Sequence, residues 1–338
     1  MAWTVAIGVD THKQAHVAVA CDRLGRQLDA CEVPTGVGGY TRLLEWAQAL
    51  GRPAFAIEGC GSYGAGLARF LDASGAAVFE CERPRRRERR SGKSDLIDAA
   101  LAARRLVAGE RLARPRGAGR REELRLLLLE RRGLVQARTA ALNQLQAAVV
   151  SAPERLRLRL GSLKGAELAG AARAVRGGGE ERVLVGVLRR LGRRVQQLEA
   201  ELAELEAELE AIVEELVPEL LEECGVGPVC AAQLVASSGD PARMRSEAAF
   251  AALAGTSPVD ASSGRQRRHR LNRGGDRQLN RTLHVIALAR VRHDRETAAY
   301  HERLLASGKT GREARRCVKR ALARHFYRRL CANPALTT

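Results

Sequence analysis

Between Leu184 and Leu216, ten apolar residues follow an unbroken alternation of four and three: Leu184, Leu188, Leu191, Val195, Leu198, Leu202, Leu205, Leu209, Ile212 and Leu216. Spacing of this kind over more than four heptads confines the segment to one long α-helix with a continuous apolar stripe. The intervening Glu199, Glu201, Glu204, Glu206, Glu208 and Glu210 give the remaining faces to water. The stripe needs a cover, and two are available. One is a second copy of the chain in a coiled coil. The other is the Leu- and Ala-rich helical stretch 121–150 of the same chain, folded back as a hairpin. Heptads alone do not choose between them. Pro218 ends the helix.

Upstream the period changes. The runs 4–10 (TVAIGVD), 16–22 (HVAVACD) and 26–34 (RQLDACEVP) are short, β-branched or alternating, and separated by polar or glycine-containing links. They predict three strands in a meander. Residues 40–50 have helical spacing, 54–60 read as a strand, 63–74 as a helix and 76–82 as a strand. The order is βββαβαβ, followed by a helix opening near Asp95. That order predicts an α/β layer with an antiparallel edge. The fold class is thus α/β plus α. An N-terminal domain (1–110) precedes a helical and coiled-coil segment (111–220) and a mainly helical basic domain (221–338). The turn Gly225–Pro228 in the last domain has the look of a helix-hairpin-helix, or of a plain glycine-capped turn. Segment 154–176 carries no clear pattern.

Aromatic residues make up only 3% of the chain, so the cores must be built from Leu, Val and Ala. The net charge is +18, which favours a polyanionic partner. Two stretches hold most of it. Residues 83–93 contain seven basic residues and one acid, and residues 265–330 contain twenty against five. No apolar run is long enough to span a membrane and no signal-peptide pattern opens the chain, so a cytoplasmic protein that touches nucleic acid is expected. The eight cysteines include no CxxC, which disfavours zinc and a disulfide framework. His12 and His16 are four apart, but they flank a strand start rather than share a helical face, so a metal pair is disfavoured.

Four acids stand apart from this background. Asp10 ends the first strand and Glu58 the fourth, while Asp95 and Asp98 lie one turn apart on the following helix. In a β-first α/β fold the first and fourth strands end side by side, and a helix packed over that edge would bring four carboxylates to one point. Such a cluster repels itself unless a cation sits within it. Oxygen ligands suit Mg²⁺. Two such ions about 4 Å apart would activate an attacking oxygen and stabilise a leaving one at phosphorus. Arg85, Arg86, Arg87, Arg89, Arg90 and Lys93 would hold the phosphate backbone. Taken singly, Asp95 and Asp98 are also what a helix N-terminus favours electrostatically.

The stretches AIGVDTHKQAHVAVACD, FAIEGCGSYG and GKSDLIDAALAARRL resemble the RuvC-like, DEDD-type transposases of insertion sequences, the Piv/MooV-type recombinases. GVGPVCAAQLVASSGD and FAALAGTSPVDASSGRQRRHRLNRGGDRQLNRTLHVIALAR resemble the second half of the same family. The likeness runs from about residue 5 to 330, in family order, with a coiled coil between the halves. It implies a ribonuclease-H-like (RuvC-like) N-terminal domain with Asp10, Glu58, Asp95 and Asp98 as the DEDD set. It also implies a serine nucleophile in an S-G pair, here Ser263 before Gly264, with Ser262 in reserve. It implies, too, an element-encoded guide RNA that pairs with donor and target DNA.

Read on its own, a serine before glycine in a polar run is usually a turn. Its neighbours suit chemistry better. Arg265, Arg267, Arg268 and Arg270 follow at once, then Arg273 and Arg277, and cations are what the equatorial oxygens of a phosphoryl group require. The expected partners are donor-end and target DNA, a guide RNA and further copies of the chain, as a dimer or dimer of dimers through the coiled coil. Two other functions fit the same residues: a RuvC-like nuclease using the acids alone, and a non-catalytic DNA- or RNA-binding protein.

Overall fold

The computed structural model describes residues 3–81, 94–110, 112, 114–115, 119–177, 179–239, 244, 246–260, 269–270, 272 and 274–336. It divides into two compact units, 1–119 and 120–338.

The first unit is built on a five-stranded mixed sheet. Its strands are β1 (Val5–Thr11), β2 (Ala15–Cys21), β3 (Gln27–Pro34), β4 (Pro53–Glu58) and β5 (Ala77–Cys81), in the order β3-β2-β1-β4-β5. The first three run antiparallel, as a meander must, while β1, β4 and β5 are parallel. Helix α1 (Val37–Ala49) links β3 to β4, and α2 (Ala65–Ala73) links β4 to β5. Helix α3 (Asp95–Val107) follows β5.

Strand alternation sorts the side chains by size. Ile7, Val9, Phe55 and Ile57 point one way and form a core with Leu43 and Ala47 of α1 and Leu67, Ala68 and Leu71 of α2. Ala6, Ala54 and Ala56 point the other way, against Ala99, Ala102, Ala103 and Leu106 of α3. This second face is nearly all small residues, so α3 lies unusually close to the sheet. Gly8 marks the closest approach, since a Cβ there would stand 1.9 Å from Ala99 O and 2.4 Å from Ala103 N.

Among its described residues the second unit is helical apart from two short paired strands. A 31-residue helix, α4 (Arg120–Val150), lies along a 35-residue helix, α7 (Arg182–Leu216). At one end α5 (Glu154–Leu160) and α6 (Gly165–Arg173) close a small core. There Leu145 and Val149 meet Leu156, Leu160, Leu168, Ala172, Val185, Leu188 and Val195. At the other end Leu205, Leu209, Ile212 and Val213 of α7 and Leu124 and Leu128 of α4 join a larger core. That core belongs to α8 (Pro218–Leu221), α9 (Pro228–Ser238), α10 (Glu247–Leu253), α11 (Arg277–His293), α12 (Arg295–Ala306) and α13 (Gly311–Ala332). Strands β6 (Val259–Asp260) and β7 (His269–Arg270) pair antiparallel between α10 and α11.

The heptad stripe therefore has its cover within one chain. Of the two arrangements the spacing left open, the fold contains the hairpin, with α4 along α7 and α6 against its first half. Leu188, Val195, Leu202, Leu205, Leu209 and Ile212 of the stripe are buried within the chain, and Leu184, Leu191, Leu198 and Leu216 are half-buried. The unpatterned 154–176 segment proves to be α5 and α6. Pro153 caps the first and Gly161 follows its last residue, which leaves helices too short to show a period. The Gly225–Pro228 turn separates α8 from α9, with Gly225 at φ +79° and Pro228 as the first residue of α9.

Candidate active site

Parallel pairing brings the ends of β1 and β4 together. Val9 lies opposite Ile57, so Asp10 and Glu58 are the next residues along. Both continue the small-residue face that α3 covers. The Thr11 hydroxyl donates to the Glu58 carbonyl at 2.8 Å and ties the two strand ends.

Helix α3 begins where it does because Ser94 caps it. The Ser94 hydroxyl accepts from the Ile97 N–H at 3.3 Å. Asp95 and Asp98 then fill the first turn, where the helix dipole favours negative charge. The close seat of α3 on Gly8 delivers that turn to the end of β1.

Asp10, Asp95 and His12 converge there. The His12 Nε2 lies 3.4 Å from Asp10 Oδ2 and 3.3 Å from Asp95 Oδ2, and one ligand atom from each residue falls within 4.8 Å of the others. Asp10 is only 6% exposed and Asp98 4%, whereas Asp95 is exposed. Burial pushes the Asp10 carboxyl above its ordinary range; His12 pulls it down, and Asp95 and Asp98 push it up again. Asp98 therefore belongs to the same electrostatic cluster. Glu58 sits at the neighbouring strand end but outside the three-residue group, and its charge bears on the Cys81 thiol, which burial and that charge raise.

Three of the four expected acids thus gather, and a residue not expected joins them. His12 is two residues beyond Asp10, just past the end of β1 in the turn to β2, a spacing that a helical histidine pair does not share. His16 lies elsewhere. It is fully buried and stacked on Tyr40 of α1, with its ring planes 10° apart.

The second half of the expected machinery is only partly within view. Arg85, Arg86, Arg87, Arg89, Arg90, Lys93, Ser262, Ser263, Arg265, Arg267, Arg268 and Arg273 lie outside the described residues. Arg270 belongs to β7, its backbone opposite Val259, and Arg277 is exposed as the first residue of α11. The two ends of the segment that carries the serines are pinned together. Gly275 approaches Gly255 so closely that a Cβ on it would stand 2.4 Å from Gly255 N. The Asp276 N–H donates to Leu253 O at 2.6 Å, and Asn280 Nδ2 donates to Ala254 O at 2.7 Å. Asp276 also caps α11 through the Gln278 and Leu279 N–H groups and accepts from the Ser237 hydroxyl. Beneath them the buried Lys319 ammonium donates to Asn280 Oδ1 at 2.6 Å.

Two family models match this chain. Residues 7–152 match a transposase model of the IS110 DEDD type, and residues 218–302 match the model described as Transposase IS116/IS110/IS902 family. Both models describe IS110-type transposases. The first match spans the whole acidic site, and the second spans the pinned segment, from α8 into α12. No curated protein matches the sequence. The matches support an insertion-sequence transposase, an enzyme with DNA as its substrate, and a mixed sheet followed by helices is compatible with a ribonuclease-H-like DEDD transposase. No helix among the described residues is long and apolar enough to cross a membrane.

A DEDD transposase implies a divalent metal, and the residues fit one. Asp10 and Asp95 supply hard oxygen ligands, and Asp10 is buried near two further carboxylates that raise its pKa. A divalent cation would relieve that repulsion and favour the ionised form.

Proposed function

We propose that this protein cuts and rejoins DNA as an insertion-sequence transposase, with an acidic metal site and a serine nucleophile. The observation that carries the proposal is the meeting of Asp10, Asp95 and His12 at the β1 edge, inside a segment that matches a DEDD transposase model. Asp10, Glu58, Asp95 and Asp98 would hold Mg²⁺, as two ions. Bound there, the metal supplies Lewis-acid stabilisation of charge on the phosphodiester oxygens.

The chain's own residues do the rest. His12 Nε2 lies within reach of both Asp10 and Asp95 and fixes the direction of each carboxylate. The Ser263 hydroxyl, with Ser262 in reserve, attacks phosphorus and becomes joined to one DNA strand as the strand's own oxygen departs. Arg265, Arg267, Arg268, Arg270, Arg273 and Arg277 neutralise the phosphate oxygens. The pinned ends at Gly255 and Gly275 hold the serine segment at a fixed base. Arg85, Arg86, Arg87, Arg89, Arg90 and Lys93 grip the nucleic-acid backbone next to the acids. An element-encoded RNA supplies sequence choice by base pairing. Two DNA ends must meet, so the working unit is a dimer or a dimer of dimers.

A second reading has one observation in its favour: Asp10, Glu58, Asp95 and Asp98 all belong to the first compact unit, without the serine segment. A nuclease that hydrolyses DNA needs nothing more. Ser263→Ala separates the two readings. It abolishes strand joining if the serine is the nucleophile and leaves Mg²⁺-dependent cleavage intact if the acids act alone. Sequencing the RNA that purifies with the protein from cells carrying its native flanking DNA tests the guide. One discrete RNA from the element supports it, and a heterogeneous mixture counts against it.

A further inference from the structure

Helix α13 carries a basic stripe that the acidic site and the serine segment do not use. Ala321, Arg324, His325, Arg328, Arg329 and Ala332 fall at offsets 0, 3, 4, 7, 8 and 11, so they share one face of the helix. They line an open groove of about 470 Å³. The adjoining face, with Leu322, Phe326 and Leu330, is buried in the core. The alanines keep the groove floor low between the longer basic side chains.

Two carboxylates hold these cations in place. Glu247, the first residue of α10, pairs with Arg324 at 3.0 Å and Arg328 at 3.3 Å. Glu223, in the turn before α9, pairs with His325 at 2.9 Å and Arg329 at 3.1 Å, and also with Arg290 of α11. Burial alone would raise the Glu223 carboxyl, but His325 and Arg290 outweigh it and hold it low, so it stays ionised. Four guanidiniums thus face two carboxylates, and the groove keeps a net positive charge before His325 is counted.

The anchoring leaves most of the donors free. A guanidinium offers five N–H groups, and each carboxylate engages only one or two of them. The Arg328 side chain is 72% exposed, Arg329 52% and Arg324 49%. Holding the arginines in advance also removes much of the side-chain entropy that binding would otherwise cost. The two pairs, 324/325 and 328/329, are four residues apart, about 6 Å along the axis, which suits successive phosphates on one strand. The lining holds no Asn, Gln, Phe, Tyr or Trp side chain, and its arginines and His325 are each already paired with a carboxylate.

We infer that this face of α13 is a sequence-independent clamp on a phosphodiester backbone. The inference rests on the reading of this protein as one that acts on nucleic acid, and within the basic stretch 265–330 it singles out one helix face distinct from the arginines that follow the serines. DNA and RNA share the recognised chemistry, so both enter the test.

The test measures fluorescence anisotropy of the full-length protein with a labelled DNA duplex and with single-stranded RNA of the same sequence, over 50–200 mM salt. Two variants are compared with wild type. Arg324→Gln with Arg328→Gln removes two cations. Glu247→Gln breaks the same two ion pairs but leaves the cations. For a clamp, the double variant binds about tenfold more weakly at the middle of that salt range. Its log–log salt slope falls by about 2 on duplex DNA, or about 1.4 on single strands. Glu247→Gln binds at least as tightly as wild type. Loss on DNA alone, or on RNA alone, names the strand that the groove holds. If the double variant matches wild type in affinity and slope on both, the clamp is refuted. Equal losses in the double variant and Glu247→Gln would refute it too, since the effect would then be folding. A wild-type protein that binds neither probe would overturn the parent reading and the clamp together, whereas intact wild-type binding with unaffected variants removes the clamp alone.

Discussion

Gly8→Ala is the smallest change that tests how the fold builds the site. The new methyl would stand 1.9 Å from Ala99 O, 2.4 Å from Ala103 N and 3.0 Å from Ala99 C, against an ordinary contact distance that starts at 3.4 Å. All three are backbone atoms, so no side-chain rotation relieves the clash. Helix α3 must retreat by about 1.5 Å, the shortfall at Ala99 O. Overpacking of this kind costs about 1–3 kcal/mol. The upper end applies here, because a radial gap of even 0.5–1 Å forfeits a quarter to a half of each dispersion contact beneath the helix. A loss of about 3 kcal/mol lowers the melting temperature of a unit this size by roughly 10 °C or more. Asp95 and Asp98 move with α3, away from Asp10. A misplacement of about 1 Å in a reacting site is worth roughly 100-fold in rate. Thermal unfolding and Mg²⁺-dependent DNA cleavage should therefore both report the change. Gly38→Ala is the control: it lies in α1 with nothing within 4 Å of its would-be Cβ, and it should leave both readings near wild type. If Gly8→Ala melts within about 2 °C of wild type and cleaves at the same rate, the close seat of α3 does not position the acids.

Further outcomes follow from buried charge. The folded-state pKa of Asp10 is raised, so its contribution is favourable below the ordinary carboxylate range and is lost as pH rises through the folded pKa. Metal-free Asp10→Asn should accordingly melt higher than wild type at pH 7 and like it near pH 3. Adding Mg²⁺ should raise the wild-type melting temperature and leave the variant unchanged; equal Mg²⁺ shifts in both proteins would remove Asp10 from the metal site. Lys319 behaves in the opposite sense. Burial, with Arg316 adding to it, lowers its pKa to about 8. Between about pH 8 and the ordinary lysine range the unfolded chain holds more protons than the folded one, so stability rises with pH across that window. The span corresponds to about 3 kcal/mol at most. Denaturant titrations at pH 7, 8, 9 and 10 should show wild type gaining on Lys319→Met as pH rises, and parallel curves would contradict the buried charge.

The sheet was legible because each of its strands is short, alternates and ends at a glycine or polar turn. The strand-end acids were legible because a parallel β1–β4 pair leaves Asp10 and Glu58 nowhere to go but side by side. The long helix α7 was equally plain, yet its partner was not, since a heptad stripe records that it needs a cover and not which chain provides it. In the sequence His12 reads only as half of a disfavoured pair with His16, for a related reason. The turn after β1 brings His12 back to Asp10, while the usual histidine signature assumes a helix. The anchors at Asp276, Asn280 and Lys319 depend on Gly255 meeting Gly275 and on α13 passing beneath α11. No local pattern encodes contacts of that kind. The stripe on α13 could be counted as charge in the sequence, but its fixation by Glu223 and Glu247 joins residues about eighty to a hundred positions apart.

The most direct test of the account incubates purified protein with Mg²⁺ and DNA carrying the element's own ends, and compares wild type with Asp10→Asn for strand cleavage and for binding. Cleavage by wild type, with the variant inert but bound to the same DNA with equal affinity, is the predicted result. Cleavage by Asp10→Asn at the wild-type rate would contradict a catalytic site at the β1 edge.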